Sequence, residues 1–151
     1  MAIARGAGTE IIRCHHFEDI NDTDGTIIIG EQHHIYTVLS VICHMRVNAS
    51  DPDWFQLYLS AWDSYGGATA ETMHIFKQNI NQLETFVWND KFSFNGFEPD
   101  ASAMSGALTT TAEQNAIADQ ASAVPQKLAI GCENSSNKLD VHVTFIDQNN
   151  E

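Results

Sequence analysis

The sequence predicts an all-β protein: a single β-sandwich or jelly roll of about eight antiparallel strands. Three observations carry this. Lys138 to Phe145 alternate strictly, with Leu139, Val141, Val143 and Phe145 on one face and Lys138, Asp140, His142 and Thr144 on the other. Period two is the mark of a half-buried strand. Trp54 to Trp62 alternate in the same way, with Phe55, Leu57, Leu59 and Ala61 opposed to Trp54, Gln56, Tyr58, Ser60 and Trp62. Clusters of Asn, Asp, Ser, Gly and Pro punctuate the chain at intervals of about 8–12 residues, the spacing of a sandwich.

Residues 1–8 are small and glycine-containing and read as an arm. A first strand is expected from Thr9 to His15, then a turn at Asn21-Asp22-Thr23-Asp24-Gly25 and a short β-branched run from Thr26 to Ile29. Ile35 to Val47 is the longest candidate, with Leu39, Val41, Cys43, Met45 and Val47 assigned to its core face. Val38 and Ile42 fall on its second face, which suggests contact with another element or subunit. Asn48 to Asp53 ends it. After Trp54 to Trp62 come Thr72 to Ile80, with Met73 and Ile75 set opposite His74 and Phe76, then Thr85 to Trp88 and Phe92 to Phe97. The intervening Asn89-Asp90-Lys91 suits a hairpin. Residues 98–126 are rich in Ala, Ser, Thr and Gln and form an excursion, with a short helix expected over 111–123. Leu128 to Cys132 and Leu139 to Ile146 are expected to close the sheet as a pair across the turn Asn134-Ser135-Ser136-Asn137. The expected division is an N-terminal arm and first strand over 1–16 and a β-sandwich domain over 17–151.

The 151 residues are enough for one domain with a core. No run is long and apolar enough for a membrane helix, so no membrane partner is expected. The opening Met-Ala-Ile-Ala-Arg-Gly-Ala-Gly lacks the charged-then-apolar order of a secretory leader. Twenty acids against seven Lys plus Arg give a net charge of −13. Phosphate neutralisation needs basic clusters, so no nucleic-acid partner is expected. Cys14, Cys43 and Cys132 form no Cys-x-x-Cys pair. They read as free thiols, Cys43 and Cys132 buried.

No cofactor, metal site or enzymatic activity is expected. The pairs His15-His16 and His33-His34 cannot each chelate one metal from a strand, because neighbours face opposite ways. His44, His74 and His142 all fall on outward faces. Asp22-Thr23-Asp24-Gly25 begins like a calcium loop but lacks the later oxygens, and an Asx turn fits better. There is no Gly-x-Ser-x-Gly elbow. The sequons at Asn21, Asn48 and Asn134 read as coincidental without a leader. Trp54, Tyr58 and Trp62 line one strand face. Such aromatics either stack on sugars or bury against a neighbouring chain, and interfaces favour aromatic anchors.

The run Ile35-Tyr36-Thr37-Val38-Leu39-Ser40-Val41-Ile42-Cys43 to Asn48-Ala49-Ser50 opens a longer pattern. It continues through Trp54–Trp62, Asn81-Gln82-Leu83-Glu84-Thr85-Phe86-Val87, Asp90-Lys91-Phe92, Lys127-Leu128-Ala129-Ile130 and Leu139 to Ile146. That arrangement resembles the small β-sandwich proteins of tailed-phage virions. The first 30 residues and residues 98–126 lie outside the resemblance. It implies a structural virion protein assembled in the host cytoplasm, first of all a capsid decoration (cement) protein. Tail, baseplate and head-fibre components are the alternatives. Its implied partners are a major capsid protein or another virion protein, and further copies of itself in a symmetric oligomer such as a trimer. A carbohydrate-binding module is the competing reading. The interface residues expected are Ile11, Ile12 and His15 at the arm, and Trp54, Tyr58 and Trp62 on the aromatic face.

Overall fold

The fold was obtained as a computed structural model, which describes residues 9–23, 25–61, 71–98, 110–112, 114–115 and 124–149. The strands are β1 (Glu10–Ile20), β2 (Gly25–Ile29), β3 (His34–Val47), β4 (Asp53–Ala61), β5 (Glu71–Ile80), β6 (Thr85–Trp88), β7 (Phe92–Asn95), β8 (Phe97–Glu98), β9 (Val124–Pro125), β10 (Lys127–Cys132) and β11 (Lys138–Asn149). One sheet has the order β1-β11-β3-β6, with β7 also on β3, and the other the order β2-β10-β4-β5. Every pairing is antiparallel.

The pairings nest. β1 lies on β11, β2 on β10, β3 on β6 and β7, and β4 on β5. A chain paired from its ends inward and wrapped into two sheets is a jelly roll, so the all-β sandwich read from the sequence takes that form. β6 and β7 act as one broken strand along β3.

The core follows the alternation. Leu139, Val141, Val143 and Phe145 of β11 are fully buried, facing Phe55 and Leu57 of β4 and Leu128 and Ile130 of β10 across the sheets. Full burial of each such side chain contributes about 1.5–3 kcal/mol.

Several expectations are corrected, each for a physical reason. In β3, Thr144 pairs Ser40 but Phe145 pairs Val38, so Leu39 is a bulged extra residue. The bulge flips the parity. Tyr36 and Val38 join Val41, Cys43 and Met45 in the core, while Leu39 is half-buried; Val47, beyond a second register shift at Arg46, is exposed. A bulge at Ile75 does the same to β5, burying Phe76 and leaving Met73 exposed. Thr85–Trp88 and the strand after it form no hairpin; they pair successively with β3, Trp88 on Val41 and Phe92 on Val38. β10 and β11 are not partners either, because the turn between them carries the chain from one sheet to the other. β1 extends from Glu10 to Ile20 and so runs across the 16/17 division.

The excursion starts and ends on one small ladder, where β8 pairs β9. Thr111, Ala112, Gln114 and Asn115 have helical backbone, and the remainder of the helix expected over 111–123 lies outside the described residues. Near that ladder Gly30 and Gly96 meet backbone to backbone. A Cβ on Gly30 would collide with the Gly96 carbonyl, and one on Gly96 with the Glu31 carbonyl. Only glycine allows so close an approach. The Gly30 amide donates to the Gln126 carbonyl at 2.8 Å, and the Gln126 amide donates to the Gly96 carbonyl at 2.9 Å.

Candidate assembly interface

β1 pairs with β11 on one side and, among the described residues, forms no strand ladder on the other. An unpaired strand edge exposes a row of amides and carbonyls that can template another chain, and natural sandwiches blunt such edges with Lys, Pro or bulges. β1 is blunted at one end only. Its register breaks between Phe17 and Ile20, where Asp19 has φ 59°. Arg46 ties Asp19 to Asp140 there, with Nε 3.2 Å from Asp140 Oδ2. From Glu10 to Phe17 the strand is regular and contains neither Lys nor Pro. Ile12 is 70% exposed and Ile11 43%; Ile29 at the end of β2, the neighbouring edge, is 59% exposed.

The inward side of the same strand borders a cleft between the sheets. Arg13, His15 and Phe17 of β1, Ile27 of β2, Glu31 and Phe145 line a space of about 250 Å³. His15 is a strut across it, its Nδ1 2.8 Å from the Ile27 carbonyl oxygen and its ring edge-on to Phe145 at 5.0 Å. At the head of the cleft Asp147 is buried on the inward parity of β11. Its Oδ2 accepts from Arg13 Nη1 at 2.8 Å, and its Oδ1 lies 2.6 Å from His34 Nδ1. A buried carboxylate without such partners would be costly. Tyr36 stacks on His34 at 6.0 Å and its hydroxyl accepts from the Glu31 amide. Burial, reinforced by the charges of Asp147 and Glu31, pushes Tyr36 up to about 12, so the phenol stays neutral. The cleft is thus a slot of mixed lining, with apolar walls from Phe17, Ile27, Ile28, Ile29 and Phe145, and with one largely exposed acid, Glu31, whose side chain is 65% exposed and lies 3.8 Å from His34 Nε2.

The aromatic stripe lies elsewhere, on the outer face of the second sheet. Trp54 is half-buried, with the Lys77 ammonium 3.8 Å from its ring centroid. Tyr58 is half-buried beside His74, with ring centroids 6.0 Å apart. Trp62 lies outside the described residues. Trp54 and Tyr58 therefore share a surface with each other but not with Ile11, Ile12 and His15. A ring face already occupied by a cation is a poor platform for a sugar.

The histidines separate likewise. His16 approaches His142 at 5.9 Å between ring centroids, His44 Nδ1 lies 2.9 Å from Thr85 Oγ1, and His74 is on the other sheet. Among the described residues no group of three or more His, Cys, Asp or Glu is placed to hold a metal. Cys14 is an exposed thiol, Cys43 and Cys132 are buried thiols, and burial pushes Cys132 up to about 12. Two sequon asparagines are structural. Asn48 is buried and donates to the Ile80 carbonyl at 2.8 Å, and Asn134 donates to Asp53 at 2.5 Å. Asn21 accepts from the Thr23 amide at 2.9 Å, which is the Asx turn expected there.

An acid pair sits at the other end of β3. Asp53 is buried and accepts from Asn134, Asn137 and Glu133. Burial alone would raise it, but these hydrogen bonds outweigh burial and hold it below its ordinary value. The hydrogen bond to Asp53, with burial and its negative charge, pushes Glu133 up. One shared proton accounts for both directions.

The structure places Ile11, Ile12 and His15 together on β1, beside Arg13, Asp147, Ile29 and Glu31, which the sequence analysis does not single out. A signal existed for Asp147: it continues the inward parity of Leu139 to Phe145, an acid where an apolar residue is due.

No family model matches the chain, and no curated protein matches it. Similar solved structures include a subunit of the Bacillus endospore appendages, described as a novel family of disulfide-linked pili. It is 9% identical with a TM-score of 0.44, over 100% of this chain and 97% of that one. A chain of the T13 particle of infectious bursal disease virus (IBDV) is 8% identical with a TM-score of 0.41, over 99% of this chain and 37% of that one. A chain of the cyanophage Pam1 capsid is 13% identical with a TM-score of 0.36, over 99% and 91%. The protein spans well under half the length of the bursal virus chain. At these scores the likenesses carry no argument about partners or activity.

Proposed function

We propose that the protein is a structural component of a virus particle that works by burying surface against neighbouring subunits, and most specifically a capsid decoration protein. One observation carries the assembly part: from Ile11 to Phe17, β1 is regular and bonds to a strand on one side only among the described residues, with Ile11, Ile12 and Ile29 exposed beside it. Main-chain hydrogen bonds along such an edge give affinity, and the flanking side chains give selectivity. The virion part rests on the resemblance of the strand pattern to tailed-phage β-sandwich proteins. Its partners are a major capsid protein and further copies of itself in a symmetric oligomer.

Quantitative mass spectrometry of purified particles from cells that make the protein tests this reading. Decoration requires hundreds of copies per particle; a few to tens would move the protein to the tail, baseplate or head fibre. Absence from every particle fraction would contradict the virion role.

A further inference from the structure

We propose that the cleft between β1 and β2 is capped by residues 1–8 of a second copy of this chain, added as a strand along the free edge of β1. This rests on the reading of β1 as the assembly edge and names what occupies it.

The first argument is where the chain leaves the sheet. The Thr9 carbonyl accepts from the Asn149 amide at 3.1 Å, so residue 9 is still aligned with the end of β11, and residues 1–8 precede it. Eight extended residues reach about 26 Å, enough to lie along the regular part of a neighbour's β1. The second is pattern. In an extended segment Met1, Ile3 and Arg5 share one face, and Ala2 and Ala4 the other. A strand on the β1 edge turns alternate side chains toward the cleft, as Arg13, His15 and Phe17 of β1 itself are turned. The first face supplies an isoleucine for the exposed Ile29 and a cation beyond it. The third is charge. Residues 1–8 carry Arg5 and no acid, in a protein of net charge −13, and the Glu31 carboxylate at the cleft, 3.8 Å from His34 Nε2, is still 65% exposed and open to a second cation. Ile3 then covers Ile29, and Arg5 meets Glu31.

The experiment uses the full chain with Cys14→Ser, which removes the exposed native thiol. Ile3→Cys and Ile29→Cys are placed in separate, differently tagged copies, mixed and oxidised. A disulfide joining the two tags is expected. In parallel, Arg5→Glu is expected to weaken self-assembly about fivefold in sedimentation, with Glu31→Arg in the same chain restoring it. If both cysteines in one chain cross-link only within that chain, the arm caps its own cleft and the proposal is overturned. If no cross-link forms while assembly persists, the arm is not the occupant and the reading of β1 as an edge stands. If the protein is monomeric at every concentration, the edge reading fails as well.

Discussion

The two lateral seams of this sandwich are finished differently. At one, β6 faces β4 and β5, and rings close the gap: Phe76 lies 4.9 Å from Phe86, 5.3 Å from Phe55 and 5.6 Å from Trp88, and Phe55 lies 5.5 Å from Phe86. Each such pair adds about 0.5–1.5 kcal/mol beyond its buried area. At the other seam β1 faces β2 across a cleft, spanned by the His15 contact to Ile27, with Ile12 and Ile29 left in solvent. Behind those rings the first seam keeps only a polar-rimmed space of about 340 Å³ along Gln78, Asn79, Glu84 and Thr85. The second leaves two large apolar side chains, Ile12 and Ile29, in solvent, which under the proposed function a neighbouring subunit would cover.

This contrast predicts opposite mutational behaviour. Phe76→Ala at the closed seam is expected to cost about 3–5 kcal/mol in urea unfolding, because it removes the ring shared by three others. Its oligomeric state at native conditions should match that of the parent protein. A large change in assembly with little change in stability would show that this seam, too, is an interface. Ile12→Lys at the open seam is expected to change unfolding by less than about 0.5 kcal/mol, since the side chain is already mostly in water. Its assembly should weaken at least about tenfold in sedimentation, as edge lysines block strand pairing. Undiminished assembly would remove β1 as the interface.

A smaller effect separates both seams from the loop end of the sandwich. The raised Glu133 contributes stability that is present below its unfolded value of 4.5 and is lost as pH rises through its higher folded value. The lowered Asp53 contributes stability that is present above its unfolded value of 3.8 and is lost as pH falls through its lower folded value. Glu133→Gln keeps a donor for Asp53 without the titration. Its melting temperature should therefore gain on that of the parent as pH rises from 4.5 toward neutrality, with assembly unaffected. A constant offset across that range would mean the two carboxyls do not share a proton.

The same contrast explains what the sequence could tell. The face of β11 was legible because Leu139 to Phe145 alternate without interruption. Val38, Leu39, Met73 and Phe76 were misassigned because a bulge reverses parity, and nothing local in those residues encodes it. The hairpin expected across Asn89-Asp90-Lys91 failed because pairing partners are chosen by the whole roll, which lays β6 and β7 end to end on β3. Ile11 and Ile12 stood out as apolar residues at a chain end. The cleft behind them did not, since it is assembled from β1, β2, β3 and β11, which are joined only by folding.

Hydrogen exchange read by peptide, on dilute protomer and on the assembled form, tests the central claim most directly. Added protection is expected in residues 10–17 and at Ile29, with none in β5, β6 or β7. Protection gained along β5 to β7, or nowhere on β1, would contradict the proposal that β1 is an assembly edge.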